Sequence, residues 1–296
     1  MFRLLPGNPV ELLFRNPLLT VQQIQQLNAQ FGLNKPLWTQ FVIFLVNVFQ
    51  GQWGLSFFYR VPVSQVLFVA LLNSIILLIP STILAIIVGV GLGVVSGWKR
   101  DSTTDVAILS SSLVLYAVPT FWLGVLLIML ALRVGGFPVS GMVTVGQSYS
   151  STWGYFSDVL AHLFLPTVTL TLVTLGQFTI IMRSSVLSQI TEDYVVAAAA
   201  KGMSGHTLLR KHIVPNAMLP TVTIIAISIG TVVAGAVLTE TVFSWPGVGS
   251  LIYDSITRRD YPVLQGAFLV VAAVVILSNF VADLVCAYLD PRVRYD

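Results

Sequence analysis

The sequence predicts an all-α integral membrane protein, and three observations support this class. Only 9% of the 296 residues are charged and 56% are hydrophobic, whereas a soluble globular domain carries about 25% charged residues. The mean hydropathy is +0.88. Long stretches contain no Asp, Glu, Lys or Arg, and each provides the roughly 20 apolar residues that a helix needs to cross a bilayer core. These stretches are 61–98, 106–132, 159–182, 213–239 and 261–282.

Each charge-free stretch is expected to be a helix, because backbone amides in lipid must bond within their own segment. We place five spans at about 68–97, 106–131, 160–182, 217–239 and 264–287. They form a transmembrane domain over 66–288 that includes the loop 183–215. An N-terminal segment, 1–65, precedes this domain and a short tail, 289–296, follows it. The N-terminal segment carries a polar amphipathic helix at 18–35 and a short apolar helix at 36–50 that suits the membrane interface.

The distribution of Lys and Arg orients the spans. Eight of the 15 Lys and Arg residues lie in 98–105, 183–215 and 289–296. The positive-inside rule places these segments, and therefore the C-terminus, in the cytoplasm of a cell-membrane protein. The pair Arg258 and Arg259 weakly opposes this orientation. The outside N-terminal segment has no preceding span to translocate it, so it either crosses unaided or lacks an upstream helix.

Small residues recur at every fourth position in two spans. One set is Gly89, Gly93 and Gly97, and the other is Ala226, Gly230 and Ala234. Such spacing lets two membrane helices approach closely. The sequence leaves open whether these faces pack within one subunit or form a dimer interface.

The loop after the third span begins with a short, sharply delimited helix. Asp193 suits the N-cap and the positive end of the helix dipole. Four alanines follow, which are the best helix formers. Lys201 suits the C-terminal end, and Gly202 is the residue expected in the left-handed position that ends a helix. The pattern therefore predicts one helix over 193–201.

A second helix is expected to begin at the cap Ser204 and to run to Val214, with Pro215 beyond it. An isolated helix of about nine residues is marginal in water, so the helix 193–201 needs a surface to lean on. It could be a rigid lever held by a partner, or an ordinary loop helix that rests on its own spans. The residues alone favour neither.

The loop residues resemble the EAA loop of ABC importer permeases, specifically the dipeptide, oligopeptide and nickel branch. The matching positions are Asp193-Tyr194, Ala198, Ala200-Lys201-Gly202, His212, Asn216-Ala217 and Pro220. The resemblance covers nearly the whole chain. It includes Leu5-Pro-Gly-Asn-Pro9, Gly51-Gln-Trp-Gly-Leu-Ser56, Glu240-Thr-Val-Phe-Ser-Trp-Pro-Gly-Val-Gly249, Arg259-Asp-Tyr-Pro262 and Asp290-Pro-Arg292.

The resemblance implies a type I ABC importer permease bundle that moves peptides by alternating access. It implies a second homologous permease subunit in a heterodimer, two ATP-binding subunits and an extracytoplasmic solute-binding protein. The short helix would then be the coupling helix that the ATPase grips. The positions expected to contact the ATPase are Asp193, Tyr194, Ala198, Ala200, Lys201 and Gly202.

The resemblance also assigns the outer side. Apart from it, Asn73 and Gln177 are uncharged polar residues of the spans and possible path-lining residues, although Gln177 could instead bond another helix. Two departures stand out: Ala199 replaces an Arg that is usual in the family, and Met1 stands where a first membrane helix is normal. A truncated gene model is the leading explanation for five spans rather than six. The outer gate and binding-protein side are assigned to Trp245, Pro246, Gly247, Arg259, Asp260 and Tyr261.

No cofactor or metal is expected in this chain. It has no P-loop motif, so ATP and Mg²⁺ are expected on the partner ATPases. The single Cys286 cannot form an internal disulfide, and the basic balance needs no nucleic-acid partner. The histidines lack metal-ligand spacing; they are His162, His206 and His212.

The alternatives are a secondary carrier or channel and an intramembrane enzyme. A self-contained secondary carrier or channel would need a buried carboxylate or an equivalent ion site. The candidates Glu240 and Asp283 lie near the ends of spans. An intramembrane enzyme would need a catalytic dyad, and the spans carry no known motif of that kind. The scarcity of charge favours a pore that is driven from outside the chain.

Overall fold

The computed structural model describes Gln22 and residues 35–289, without the side chains of Leu37, 226–235 and the positions 285, 286, 288 and 289. This part of the chain is built from helices, with one isolated antiparallel bridge between Leu55 and Pro62. Apart from Gln22, the predicted helix at 18–35 lies outside the described residues. So do the motifs at 5–9 and 290–292, and the tail beyond 289.

The helices follow the charge-free stretches and run beyond most of them. In chain order they are α1 (Leu37–Phe49), α2 (Val63–Trp98), α3 (Thr103–Ala117), α4 (Thr120–Val134), α5 (Thr152–Ile190), α6 (Asp193–Ala200), α7 (Gly205–Leu208), α8 (Val214–Val242), α9 (Val248–Arg258) and α10 (Tyr261–Leu289). A π-helical segment, Leu209–Ile213, joins α7 to α8. The all-α prediction is confirmed, and α1 matches the predicted apolar helix at 36–50.

Among the residues searched, three helices are long and apolar enough to cross a membrane: α2, α5 and the part of α10 up to Leu284. The pair α3 and α4 counts as a fourth if the pair is one span. Helix α8 coincides with the predicted span at 217–239, but the side chains of 226–235 are not described. The number of five spans therefore stays a prediction.

The chain divides into two compact units. One consists of the residues up to Leu71 together with Leu251–Val270, and the other of Leu72–Ser250 with the residues from Val271 onward. In the second unit, α5 is the central helix and contacts α3, α4 and α8. It has 39 residues, so at 1.5 Å per residue it is about 58 Å long and exceeds a bilayer core of about 30 Å.

The stretch predicted as one helix at 106–131 is instead two helices. Helices α3 and α4 meet at an angle of 104°. The break lies at Val118, which is extended (φ −73°, ψ 128°), and at Pro119, which precedes α4. A residue before proline is pushed away from helical geometry, and proline cannot donate the next helical hydrogen bond. The prediction of a continuous span was wrong because this proline ends the helix.

The loop helix is close to the prediction but is capped differently. Glu192, not Asp193, occupies the N-cap of α6, without a side-chain cap bond, and Asp193 lies in the first turn. Gly202 has a φ of +81°, as a residue just past a helix end often does. The second helix predicted from Ser204 to Val214 begins at the expected cap Ser204, but it does not stop before Pro215, because the π-helical segment joins α7 directly to α8. Pro215 lies in the first turn of α8, where its missing N–H is tolerated.

The glycines of α2 face α5 within the same chain. A Cβ at Gly93 would lie 2.7 Å from both Met182 Cβ and the carbonyl oxygen of Thr179. A Cβ at Gly97 would lie 2.8 Å from Val186 Cβ. Gly89 packs in the same way. The structure therefore assigns this face to packing within one subunit, which the sequence had left open. The second set includes positions whose side chains are not described.

We expect Gly93→Ala to destabilise the protein and Gly91→Ala to leave it unchanged or slightly more stable. At Gly93 the added methyl meets backbone and Cβ atoms of α5, and such overpacking costs about 1–3 kcal/mol. A Cβ at Gly91 has nothing within 4 Å. The measurement is the unfolding temperature of both variants in the same detergent. Equal temperatures would contradict the close approach of α2 and α5.

Candidate functional site

Helix α6 leans on its own chain through one face. Val195 and Ala198 are 3% and 7% exposed. They belong to a cluster with Met182 and Val186 of α5 and with Ile213 at the start of α8. Positions three apart lie on the same side of a helix, so α6 presents this side to α5. Ala198 was expected to contact the ATPase, but its side chain packs against its own subunit.

The opposite face of α6 is exposed. Val196 has an exposed fraction of 59%, which is high for a branched apolar side chain. Sequence reasoning missed Val196, because only its position opposite Val195 and Ala198 shows that it points outward. The other exposed positions of the segment are Asp193, Tyr194, Ala197, Ala199, Ala200, Lys201 and Gly202. Five of the six predicted ATPase-contacting residues are therefore available to a partner.

Residues of the loop motif that are distant in sequence meet at the base of α6. The Tyr194 hydroxyl donates to Gln189 Oε1 at 2.6 Å and to the carbonyl oxygen of His212 at 3.4 Å. Asn216 Nδ2 donates to the same carbonyl at 2.7 Å. Burial raises the pKa of the Tyr194 phenol, so it remains a donor at neutral pH. Tyr194 thus fixes α6 to both neighbouring helices.

The adjoining ends of α2, α3 and α5 are joined by a buried ion pair. Arg183 Nε and Nη2 donate to the two carboxylate oxygens of Asp105, each at 2.7 Å. The side chains are 21% and 3% exposed. Nearby, Trp98 packs on Gly205 of the loop. The segments 98–105 and 183–215, which the count of Lys and Arg assigns to one side of the membrane, therefore meet at one end of the helices.

The predicted outer turn, between α8 and α9, is organised by a buried carboxylate. Glu240 is 1% exposed. It accepts hydrogen bonds from Ser74 Oγ at 2.6 Å and from the backbone N–H groups of Gly249 at 2.6 Å and Ser250 at 3.2 Å. These N–H groups belong to the first turn of α9, and the positive end of the helix dipole there favours a carboxylate. The carboxylate also fills the space that a Cβ at Gly247 would need.

Trp245, Pro246 and Asn73 are brought together by this turn. Trp245 is 0% exposed, and its Nε1 donates to the carbonyl oxygen of Asn73 at 2.8 Å. Asn73 Nδ2 donates to the carbonyl oxygen of Pro246 at 2.9 Å. Trp245 is therefore part of the core, and the exposed residues of the turn are Ser244 and Pro246. The amide of Asn73, a possible path-lining group, is occupied by a bond within the turn.

The two polar clusters lie far apart along α2. Ser74 and Ser96 mark them, and the intervening residues give a separation of about 33 Å at 1.5 Å per residue. This is close to the thickness of a bilayer core, about 30 Å. The turn 243–249 and the loop 183–215 therefore lie near opposite ends of the helix bundle.

Asp260, in the other unit, fixes an exposed segment. Its carboxylate accepts from Ser56 Oγ and from the N–H groups of Phe57 at 3.2 Å and Phe58 at 3.1 Å. Phe58 also stacks beneath the Arg258 guanidinium, 3.7 Å from its ring centre. Asp260 is thus a structural anchor rather than an accessible charge.

Three other residues that the sequence predicted for a site lie outside the clusters around Asp105, Glu240 and Asp260. Arg259 is exposed, with a φ of 57°, and Tyr261 is half-buried at the start of α10. Gln177 is half-buried on α5. No group of three or more His, Cys, Asp or Glu that could hold a metal ion occurs among the residues the structure describes. Sequence reasoning missed the roles of Glu240, Asp105 and Arg183, whose only signal was their position beside charge-free stretches.

Known proteins resemble this chain over nearly its full length. The family described as binding-protein-dependent transport system inner membrane component matches residues 89–295. The dipeptide transport system permease protein DppB of Escherichia coli (strain K12) is 37% identical over a 309-residue alignment that covers 99% of this chain and 91% of that protein. The oligopeptide transport system permease protein AppB of Bacillus subtilis (strain 168) is 35% identical over 292 residues, covering 98% and 90%.

A solved structure shares the fold. The MetNI methionine ABC transporter in inward-facing conformations gives a TM-score of 0.58 at 16% identity, covering 76% of this chain and 97% of that chain. At this identity the likeness shows the fold alone. The sequence matches are much closer and extend through both polar clusters. The chain therefore belongs to the binding-protein-dependent transport system inner membrane components, and it is a membrane-embedded permease subunit of an ABC importer, not an enzyme.

Proposed function

We propose that this subunit forms half of a path for di- and oligopeptides, together with a second, homologous permease subunit. The path opens alternately to the two sides of the membrane, and separate ATPase subunits drive it. The names of the related proteins, which specify dipeptides and oligopeptides, support the solute class.

The exposed face of α6 is the observation that carries this proposal. Its inner face is fixed to α5 and α8, and its outer face carries Val196 and small side chains. Small residues bring the backbone close to a partner, and an exposed apolar residue at the centre of such a face suits a contact that excludes water. One ATPase subunit binds here, and a second binds the equivalent helix of the homologous permease.

The orientation follows from charge. The loop 183–215 and the segment 98–105 face the cytoplasm, where ATP is available, and the C-terminus lies on the same side. The turn 243–249 faces outward, where a solute-binding protein delivers the peptide. The solute-binding protein contacts Pro246 and Arg259, which are both exposed. ATP and Mg²⁺ bind the ATPase subunits.

The structure offers no support for a self-contained, ion-coupled carrier. Glu240 is the buried carboxylate that such a carrier would use, but its oxygens already accept three hydrogen bonds from Ser74, Gly249 and Ser250. Asp105 is likewise paired with Arg183. These carboxylates hold helices together at the ends of the bundle.

We expect Val196→Arg to prevent stable binding of the ATPase subunits. The substitution places a charge at the centre of the proposed interface, and a cost of about 2 kcal/mol weakens association roughly thirtyfold. The measurement is co-purification of the tagged permease complex with its ATPase subunits in detergent, followed by ATPase activity.

Val145→Arg is the matched control, because Val145 is 98% exposed in the loop before α5 and lies outside the proposed interface. Both variants should accumulate in the membrane like the wild type. Normal ATPase binding by Val196→Arg would contradict the assignment of α6.

Uptake should require the complete complex. Proteoliposomes that hold both permeases, the ATPases and ATP, with the binding protein outside, are expected to accumulate labelled dipeptide. Proteoliposomes that hold this chain alone, under a proton or sodium gradient, are not expected to accumulate the dipeptide. Uphill uptake by the chain alone would overturn the proposal in favour of a secondary carrier.

A further inference from the structure

The ion pair between Asp105 and Arg183 is a tightly hydrogen-bonded group to which the proposed function gives no part in transport. Both carboxylate oxygens of Asp105 accept from the Arg183 guanidinium at 2.7 Å, which is the bidentate geometry of a strong, directional bond. Ser96 Oγ donates to the same carboxylate at 2.5 Å, and the Asp101 N–H donates at 3.1 Å. Asp105 therefore has four bonds from three segments of the chain.

These bonds join the ends of three helices. Ser96 lies in the last turn of α2, Asp105 in the first turn of α3, and Arg183 in the part of α5 that leads to α6. Next to the pair, Gly93 and Gly97 of α2 touch α5 with no space for a Cβ. Backbone contact resists compression, and the bidentate pair resists sliding along the helix axes. The combination makes this end of the bundle rigid.

The same stretch of α5 supports α6. Met182 and Val186 flank Arg183 and form the surface on which Val195 and Ala198 pack. Only Thr191 and Glu192 separate α5 from α6. On the far side of the loop, Gly205 lies against Trp98, the last residue of α2. A displacement of α6 is therefore passed first to the part of α5 that carries Arg183.

A buried ion pair is a poor source of stability, because the cost of desolvating two charges offsets most of their attraction. Apolar residues could fill the same space. A bidentate ion pair adds a directional constraint to apolar packing, because its hydrogen-bond geometry is lost when either helix slides. The arrangement thus fits a requirement for position more closely than a requirement for stability.

We infer that Asp105 and Arg183 form a clamp that makes the adjoining ends of α2, α3 and α5 move as one body with α6. The clamp passes the movement of α6 to α2 and α3, and so converts ATP hydrolysis into opening of the path. Asp105 and Arg183 are positioning residues that touch neither ATP nor the solute. The inference rests on the proposed role of α6 in binding an ATPase.

The test compares Asp105→Asn with Asp101→Asn in the reconstituted complex. Both make the same chemical change within four residues. Asp101 has an exposed side chain and bonds Asp105 through its backbone N–H, which Asn keeps, and its φ of 60° is one that Asn adopts readily. Its carboxylate affects Arg183 only as a neighbouring charge and less than Asp105 does, so the pair of variants separates the hydrogen-bonded clamp from charge alone. Uptake of labelled dipeptide and hydrolysis of ATP are measured on the same proteoliposomes.

For Asp105→Asn we expect uptake per ATP hydrolysed to fall about fivefold or more, the lower end of typical coupling between sites. ATPase binding and ATP hydrolysis should stay near wild type, and Asp101→Asn should match the wild type throughout. An unchanged ratio of uptake to ATP hydrolysed in an assembled Asp105→Asn complex would overturn the clamp. If Asp105→Asn does not assemble, Arg183→Lys decides by the same ratio, because it keeps the charge and loses the bidentate fork.

A distance measurement needs no knowledge of the solute. Spin labels at Arg100→Cys and Ser188→Cys, both exposed positions, are placed in a Cys286→Ser background. If the clamp exists, the distance between the two labels has the same narrow distribution with and without ATP. In the Asp105→Asn variant this distribution is broad. A distance in the otherwise unaltered protein that changes with ATP would overturn the clamp. The two proposals fail separately. If the wild-type complex shows no ATP-driven uptake of dipeptide but gives the expected distances, the peptide path is contradicted and the clamp is supported.

Discussion

The close contact between α2 and α5 is the constraint on which the second unit depends. Lipid tails are as apolar as leucine side chains, so helices in a bilayer gain little from burying apolar surface against each other and depend on close packing. Gly89, Gly93 and Gly97 remove the side chains that would hold α2 away from α5. This contact sets the positions of Ser74 and Ser96 on α2, and these residues bond the two carboxylates Glu240 and Asp105.

Among the described residues of the second unit, two carboxylates are buried, Glu240 and Asp105, and each has its oxygens occupied by hydrogen bonds. Glu240 accepts three hydrogen bonds where α9 begins, and Asp105 accepts four where α2 and α3 meet α5. A carboxylate left without donors in either place would carry a large desolvation cost. Each instead fixes a turn: one that joins α8 to α9, and one that joins α2 to α3. The ends of the bundle are therefore more rigidly specified than its apolar middle.

This arrangement suits a subunit that is driven from outside itself. The exposed face of α6 offers a partner a short rod whose other face is fixed to α5 and α8. The turn 243–249 is about a bilayer thickness away along α2. A force applied at one surface can reach the other only through the long helices, so the contacts that prevent those helices from sliding become part of the mechanism.

The sequence by itself determined the class, the family, the positions of most helices and the short helix in the loop. These follow from local signals: runs without charge, the spacing of Gly and Pro, and a motif around Lys201 and Gly202. Pro119 is a local signal for the break at Val118. Apolar composition alone predicts one continuous helix over 106–131, and the prediction followed the composition rather than the proline.

Only the tertiary structure decided which face of each helix meets which neighbour. It turned Ala198 inward and Val196 outward, buried Trp245, and assigned the glycines of α2 to packing within the subunit. It also joined Asp105 to Arg183 across 78 positions and Ser74 to Glu240 across 166. A local pattern records that a residue is polar or small. Its partner depends on how distant helices are packed, which a single sequence does not encode at any one position.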